Sequence, residues 1–220
     1  MPPNDPMISN AETWDTEARQ AWMAGDFTRS QKLFEQVLSA WRSIGRKEGI
    51  FYTLLHITQA MQYTPGYDPA LARPFIEEAM QVAQQIGTDR YIQPAALDLA
   101  RLDFDAGYYR VACTKIQQLV TWFFQVGDPG GTCHGLELIA KALIGLGSIE
   151  PGLRLYAAAT AIREQHGMQH TVPAVLASEE RILGPARSQL GETRCAAVEA
   201  EGRGFHLEQA VAYARSITIF

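Results

Sequence analysis

The sequence predicts an all-α protein, an α-solenoid of stacked helical hairpins, and three observations predict it. Apolar residues recur at helical spacing, as in Leu33, Phe34, Val37, Leu38 and Trp41, and again in Phe75, Ile76, Ala79 and Met80. Glycines mark one period twice. Gly25, Gly66, Gly107 and Gly147 are spaced 41, 41 and 40 residues apart, and Gly45, Gly87, Gly127 and Gly167 are spaced 42, 40 and 40 apart. After each glycine of the first series comes a small residue (Ser30, Ala72, Ala112, Gly152), and four residues later a large one (Phe34, Ile76, Ile116, Tyr156). Alternating β-branched stretches bounded by hairpin turns are absent.

The chain begins "MPPNDPMISN", a stretch without the basic and apolar regions of a signal peptide, which reads as a disordered leader over 1–10. Residues 11–215 read as a single helical repeat domain. Four helix–turn–helix units occupy about 11–45, 46–87, 88–127 and 128–167, with a turn-glycine period of 40–41 residues. The second-series glycine of each unit stands where a helix ends in a left-handed residue. The fourth unit contains "PGLRLYAAATAI", in which Ala157, Ala158, Ala159 and Ala161 leave little side chain to bury. Small residues there let backbones approach on two sides, so that burial is shared along a stack. After 167 the period fails. Residues 174–215 still read as helices, with Gly184-Pro185 breaking the first, and form a C-terminal cap over the open end of the array. The final "SITIF" is an apolar tail over 216–220.

Small-then-large residues a turn apart, in hairpins of constant period, form the tetratricopeptide pattern, and residues 11–167 resemble that family. The resemblance implies a right-handed superhelix. The usual repeat is about 34 residues, so the helices here must be longer. A tighter resemblance is carried by "LSAWRSIGRKEGI", "ARPFIEEAMQVAQQIGTDRYIQPAALDLA" and the ending, where Leu190-Gly191-Glu192, Gly202-Arg203 and Leu207-Glu208 precede Ala210-Val211. These segments look like the carboxy-terminal tetratricopeptide region of LuxR- and AfsR-type bacterial transcriptional regulators, which also carry a signalling ATPase module. Cys195 stands where that family usually has an aromatic residue, and Glu199 where tryptophan is frequent. No G-x-x-x-x-G-K-[ST] occurs, so the ATPase is not carried over.

Composition narrows the function further. A net charge of −5 without a basic block argues against direct nucleic-acid binding. No apolar run reaches the ~18–20 residues that span a bilayer. Cys113, Cys133 and Cys195 are far apart and form no C-x-x-C, which suits reduced thiols in the cytoplasm. Nothing reaches the standard of a catalytic or metal site. His166 and His170 flank a helix-ending glycine and lack a third ligand. Cys133 and His134 are adjacent on a helix, about 100° apart, and cannot easily hydrogen-bond. No cofactor is expected, and the protein reads as no enzyme.

The resulting expectation is a docking module: a protein or peptide partner held in a concave groove lined by the first helix of each unit. Counting back 13, 10, 6, 3 and 2 residues from each turn glycine gives the groove positions that the tetratricopeptide resemblance implies. The chosen lining is Asp15, Arg19 and Trp22, then His56 and Tyr63, then Arg101, Phe104 and Asp105, then His134, Glu137 and Lys141. The column six before glycine reads Arg19, Ala60, Arg101 and Lys141, a partial basic ladder suited to acidic side chains or a peptide carboxylate. Those cations either meet a partner or pair with Asp15, Asp105 and Glu137 within the groove. The alternative function is effector sensing, with Trp22, Tyr63 and Phe104 walling a small-molecule site. Ile217, Ile219 and Phe220 either fold back on Val211 and Tyr213 or join a homodimer through the cap.

Overall fold

The structure is a computed structural model and describes residues 6–168 and 172–219. Among these residues there are eleven α-helices and no strand. They are α1 (Pro6–Met23), α2 (Phe27–Ile44), α3 (Lys47–Gln62), α4 (Pro69–Ile86), α5 (Asp89–Asp105), α6 (Tyr109–Gln125), α7 (Pro129–Gly145), α8 (Ile149–Gln165), α9 (Pro173–Leu190), α10 (Glu192–Arg203) and α11 (Leu207–Ser216). The glycine rhythm is built into the turns. Every glycine of both series has a positive φ, between 65° and 83°. At Gly45 the chain closes in paired bonds, with Gly45 N–H donating to the Arg42 carbonyl and Arg46 N–H to the Trp41 carbonyl. The same pair recurs at Gly25, Gly107, Gly127, Gly147 and Gly167. Asp26, Asp68 and Asp128 then start the next helix, each carboxylate accepting from a first-turn amide.

Helix α1 begins at Pro6, so residues 6–10 of the expected leader are helical. Proline suits a first helical position, and Ile8 and Trp14 pack against the cluster of Ala11, Val37, Ala40 and Trp41. Residues 1–5, His170 and Phe220 lie outside the described residues.

The helices cluster into two compact units, one through Leu102 together with Val172–Ala174, the other from Asp103 to Thr171 and from Val175 to Phe220. Sequence neighbours pack together in the first unit: α1 on α2, α2 on α3, α3 on α4. Its core joins Phe34, Phe51, Leu54, Ile57 and Ile76 around the small Ala18, Ala72 and Ala79. The small column marks a close approach of backbones, since Ser30 Oγ donates to the Ala18 carbonyl at 2.9 Å.

In the second unit α6 packs on α7, α7 on α8, and α8 on α10 and α11. The Ala18–Ser30 approach recurs as Ala140–Gly152, where a Cβ on Gly152 would lie 2.8 Å from the Ala140 carbonyl oxygen. This explains the alanine-rich α8. Leu153, Leu155, Tyr156 and Ala157 to Ala159 are all buried, because α7 covers one side and α10 with α11 another. Gly202 of α10 lies against the Arg154 carbonyl, with Ala157 Cβ 3.1 Å from where its own Cβ would stand. Gly202→Ala is therefore expected to cost about 1–3 kcal/mol, since backbone rather than a flexible side chain must yield. Urea unfolding checks this, and an unchanged midpoint would show that the helices do not meet there.

Three helices, α9, α10 and α11, follow the fourth hairpin. α9 runs through Gly184-Pro185 without the expected break. Pro185 withholds one amide from Arg181, but both residues are exposed, so water can satisfy that carbonyl. Pro74 and Pro94 also lie inside helices. Cys195 is buried, and Glu199 accepts from Arg187 at 2.8 Å. The tail is tied back. Gln117 of α6 donates to the carbonyls of Ala214 at 2.8 Å and Ile217 at 3.0 Å, and Ile217 and Ile219 are half-buried.

Candidate functional site

Each unit contains a group of side chains that packing alone does not account for. In the first unit, α1 and α3 present Arg19, Trp22 and Met23 opposite His56 and Gln59. With Phe34 of α2 these residues line a cavity of about 360 Å³. Helical spacing arranges the set. Arg19, Trp22 and Met23 are three and four residues apart on one face of α1, and His56 and Gln59 are three apart on α3.

Arg19 is the hub. Its Nε donates to Asp15 Oδ2 at 2.7 Å, and Nη2 lies 3.4 Å from Asp15 Oδ1 and 2.9 Å from His56 Nε2. Burial and then the Arg19 charge push the His56 pKa down to about 4. A neutral ring accepts from the guanidinium at Nε2, which assigns the proton to Nδ1, 3.4 Å from Gln59 Oε1. The ring also stacks on Phe34, with centroids 5.1 Å apart. Beside it Trp22, Phe27 and Tyr63 form an aromatic cluster, with Phe27 and Tyr63 centroids 5.1 Å apart. Trp22 Nε1 is sealed from solvent and has no hydrogen-bond partner. A buried donor left unmade costs about 1–3 kcal/mol.

In the second unit the notable group is charged. Arg163 of α8 grips Glu137 of α7 through both nitrogens of one edge, with Nη2 to Oε2 at 3.0 Å. Burial opposes the Arg163 charge, and the bonds and charge of Glu137 more than offset it, so its pKa rises. Burial, followed by the charge of Glu179, raises the Tyr156 pKa. Glu137, Tyr156, Thr160, Arg163 and Glu179 line a cavity of about 220 Å³ with Glu164 and Leu176. Cys133 lies nearby, where burial pushes its thiol up to about 11, and burial takes that of Cys113 to about 12. Both are therefore protonated and poorly nucleophilic at neutral pH.

Several positions depart from the expected groove. Arg101 is 2 % exposed, its Nε donating to Asp98 Oδ1 at 2.9 Å, with Thr58 Oγ1 at 3.5 Å from Nη2. It is a core residue and not a rung of an open ladder. Glu137 is likewise buried and serves Arg163. Ala60, in the same column as Arg101, is buried, and so is Thr53, thirteen residues before Gly66. Tyr52 and Gln59, each one residue earlier on α3, are exposed. Phe104 packs on Tyr109 at 5.4 Å, while Asp105, His134 and Lys141 are half-buried.

Of the expected lining, the structure brings together Asp15, Arg19, Trp22, His56 and Tyr63. Phe34 and Gln59 were missing from it. Gln59 carried a signal, as the one residue that is not small in the column of Ala18, Ala100 and Ala140. Phe34 carried none, since its spacing is that of a core residue. Among the described residues, no three histidine, cysteine or carboxylate side chains converge as metal ligands, and no helix is long and apolar enough to cross a membrane. Comparison with known proteins finds no family model that matches the chain, and no curated protein that matches it.

Proposed function

We propose that this protein is a non-catalytic docking module that binds an acidic peptide segment through cations on the first helices of its hairpins. In this reading it is the partner-recognition part of a bacterial, cytoplasmic transcription-regulatory system, as the LuxR- and AfsR-type resemblance implies. The observation that carries the reading is the placement of cations on those helices. Arg19 is exposed on α1 while also paired with Asp15, and Lys141 is half-buried on α7, in a chain whose net charge is −5. Charge-assisted bonds to carboxylates are strong and directional, which suits selection of an acidic segment. The raised thiol pKa values support a role without nucleophilic chemistry.

A peptide array tests the proposal. Acidic sequences should be retained, binding should weaken with salt, and Arg19→Glu combined with Lys141→Glu should lower affinity about tenfold or more. No enrichment of acidic peptides, or no effect of the double substitution, would end the docking reading.

Effector sensing is the second reading, favoured by the cavity of about 360 Å³ beside Arg19, a volume within the range of small-molecule sites.

A further inference from the structure

The last two helices lie on α8 with little apolar surface between them. α10 buries only Cys195, Val198 and Gly202, and α11 only Ala210, Val211 and Ala214, whereas α8 buries nine residues. Small side chains remove little apolar area from water, so this packing holds the two helices weakly. α10 is also short, at 12 residues, and Gly191, with φ 82°, gives its start no side-chain cap. A helix of that length depends on its neighbours. Ion pairs supply what packing lacks. Arg194 of α10 grips Glu150 of α8, with Nη2 to Oε2 at 2.5 Å and Nε to Oε1 at 2.8 Å. Arg203 Nη2 donates to Glu164 Oε2 at 2.5 Å, and Arg187 Nε of α9 donates to Glu199 Oε1 at 2.8 Å. Arg154 of α8 ties in both helices, its Nε donating to Glu201 of α10 and its Nη1 to the Tyr213 hydroxyl of α11, each at 2.9 Å. The rings of Phe205 and Tyr213, 5.5 Å apart, join α10 to α11.

We propose that α10 and α11 form an ionic latch, a lid that opens about Gly191 as ionic strength rises and uncovers the Ala157 face of α8. The proposal rests on neither functional reading. The pairs that hold the lid lie at the surface, with the side chains of Arg194, Arg203 and Glu201 about half exposed, so salt screens them. The Arg163–Glu137 tie between α7 and α8 is buried and is screened far less. Rising salt therefore loosens the lid and leaves the hairpin beneath it intact. Gly202 marks what the lid covers, since it packs on the Arg154 carbonyl and the Ala157 side chain. That face of α8 is where a solenoid stacks its next helices, so the latch controls access to the end of the array. Gly191 suits a hinge because a residue without a side chain passes between left- and right-handed backbone at little cost.

Native-state hydrogen exchange on the full chain tests the latch, at about 50 mM and about 500 mM sodium chloride. Amides over 192–216 should exchange through a shared opening that becomes about tenfold more populated at the higher salt. Amides of α7 should change by less than about twofold, because their tie is buried. Arg203→Glu sets two carboxylates against each other at Glu164, and at low salt it should raise the opening of 192–216 about threefold to tenfold. Arg203→Glu combined with Glu164→Arg restores the pair with its charges exchanged and should return the opening to within about twofold of the original. Arg203→Gln, a milder change, should act in the same direction with a smaller effect. Salt-dependent opening confined to 192–216, with rescue by the exchanged pair, supports the latch. Protection over 192–216 that equals that of α7 and does not respond to salt overturns it. So does a loss of protection from Arg203→Glu or Arg203→Gln that spreads evenly over α7 and α8, since the pair would then serve the whole unit.

Discussion

Arg101→Ala is expected to lower the stability of the protein by about 3–5 kcal/mol, the usual cost of leaving one member of a buried ion pair alone. The Arg101 side chain is 2 % exposed and that of Asp98, three residues earlier on α5, is 11 % exposed. Removing the guanidinium takes its cation from the Asp98 carboxylate in a site with little access to water. It also takes a donor from beside Thr58, which is itself fully buried. Arg101→Met with Asp98→Leu should recover most of the loss, because two apolar chains of similar bulk carry no desolvation penalty. Urea midpoints for the two single variants and the double variant make the cycle. A surface cation used only to hold a partner would behave otherwise, with stability unchanged within about 0.5 kcal/mol.

Arg101 also shows where the sequence could be read and where it could not. Hairpin number, turn positions and the small–large packing columns are local facts. Gly45 needs a left-handed backbone, and Ser30 and Gly152 need a small side chain, so periodicity exposes them. Whether a polar residue on a first helix faces solvent depends on which neighbouring helices cover it, which spacing does not reveal. Arg101 and Glu137 recur at groove spacing, yet the structure pairs each with a buried partner. Ala60 departs from the expected column as well. It is buried and the adjacent Gln59 lines the cavity, although the same count from Gly66 reaches His56 and Tyr63, which do stand at the site. Trp22 and Tyr63 were legible as aromatics of the site, but the unpaired indole N–H was not, because a missing partner has no sequence signature.

In the second unit the corresponding large effect falls on Arg163→Ala, expected to cost about 3–5 kcal/mol. The Glu137 side chain is 3 % exposed and that of Arg163 11 % exposed, and the two are joined through both carboxylate oxygens. They link α7 to α8 beside Tyr156 and Glu179, so the lost contact also loosens the wall of the cavity that these residues share. The loss should depend on pH with a definite sign. A buried carboxylate without its cation binds a proton more readily than the same group in the unfolded chain, so the unfolded state is favoured where that group ionises, above about pH 4.3. The deficit of Arg163→Ala should therefore be largest near neutrality and shrink as pH falls towards that value. Adding Glu137→Leu should remove the pH dependence and restore much of the stability. Denaturant titrations at two pH values on the three variants decide it. A deficit that is small or flat with pH would mean that Glu137 keeps its charge in contact with water, and that the pair is not the buried tie between α7 and α8.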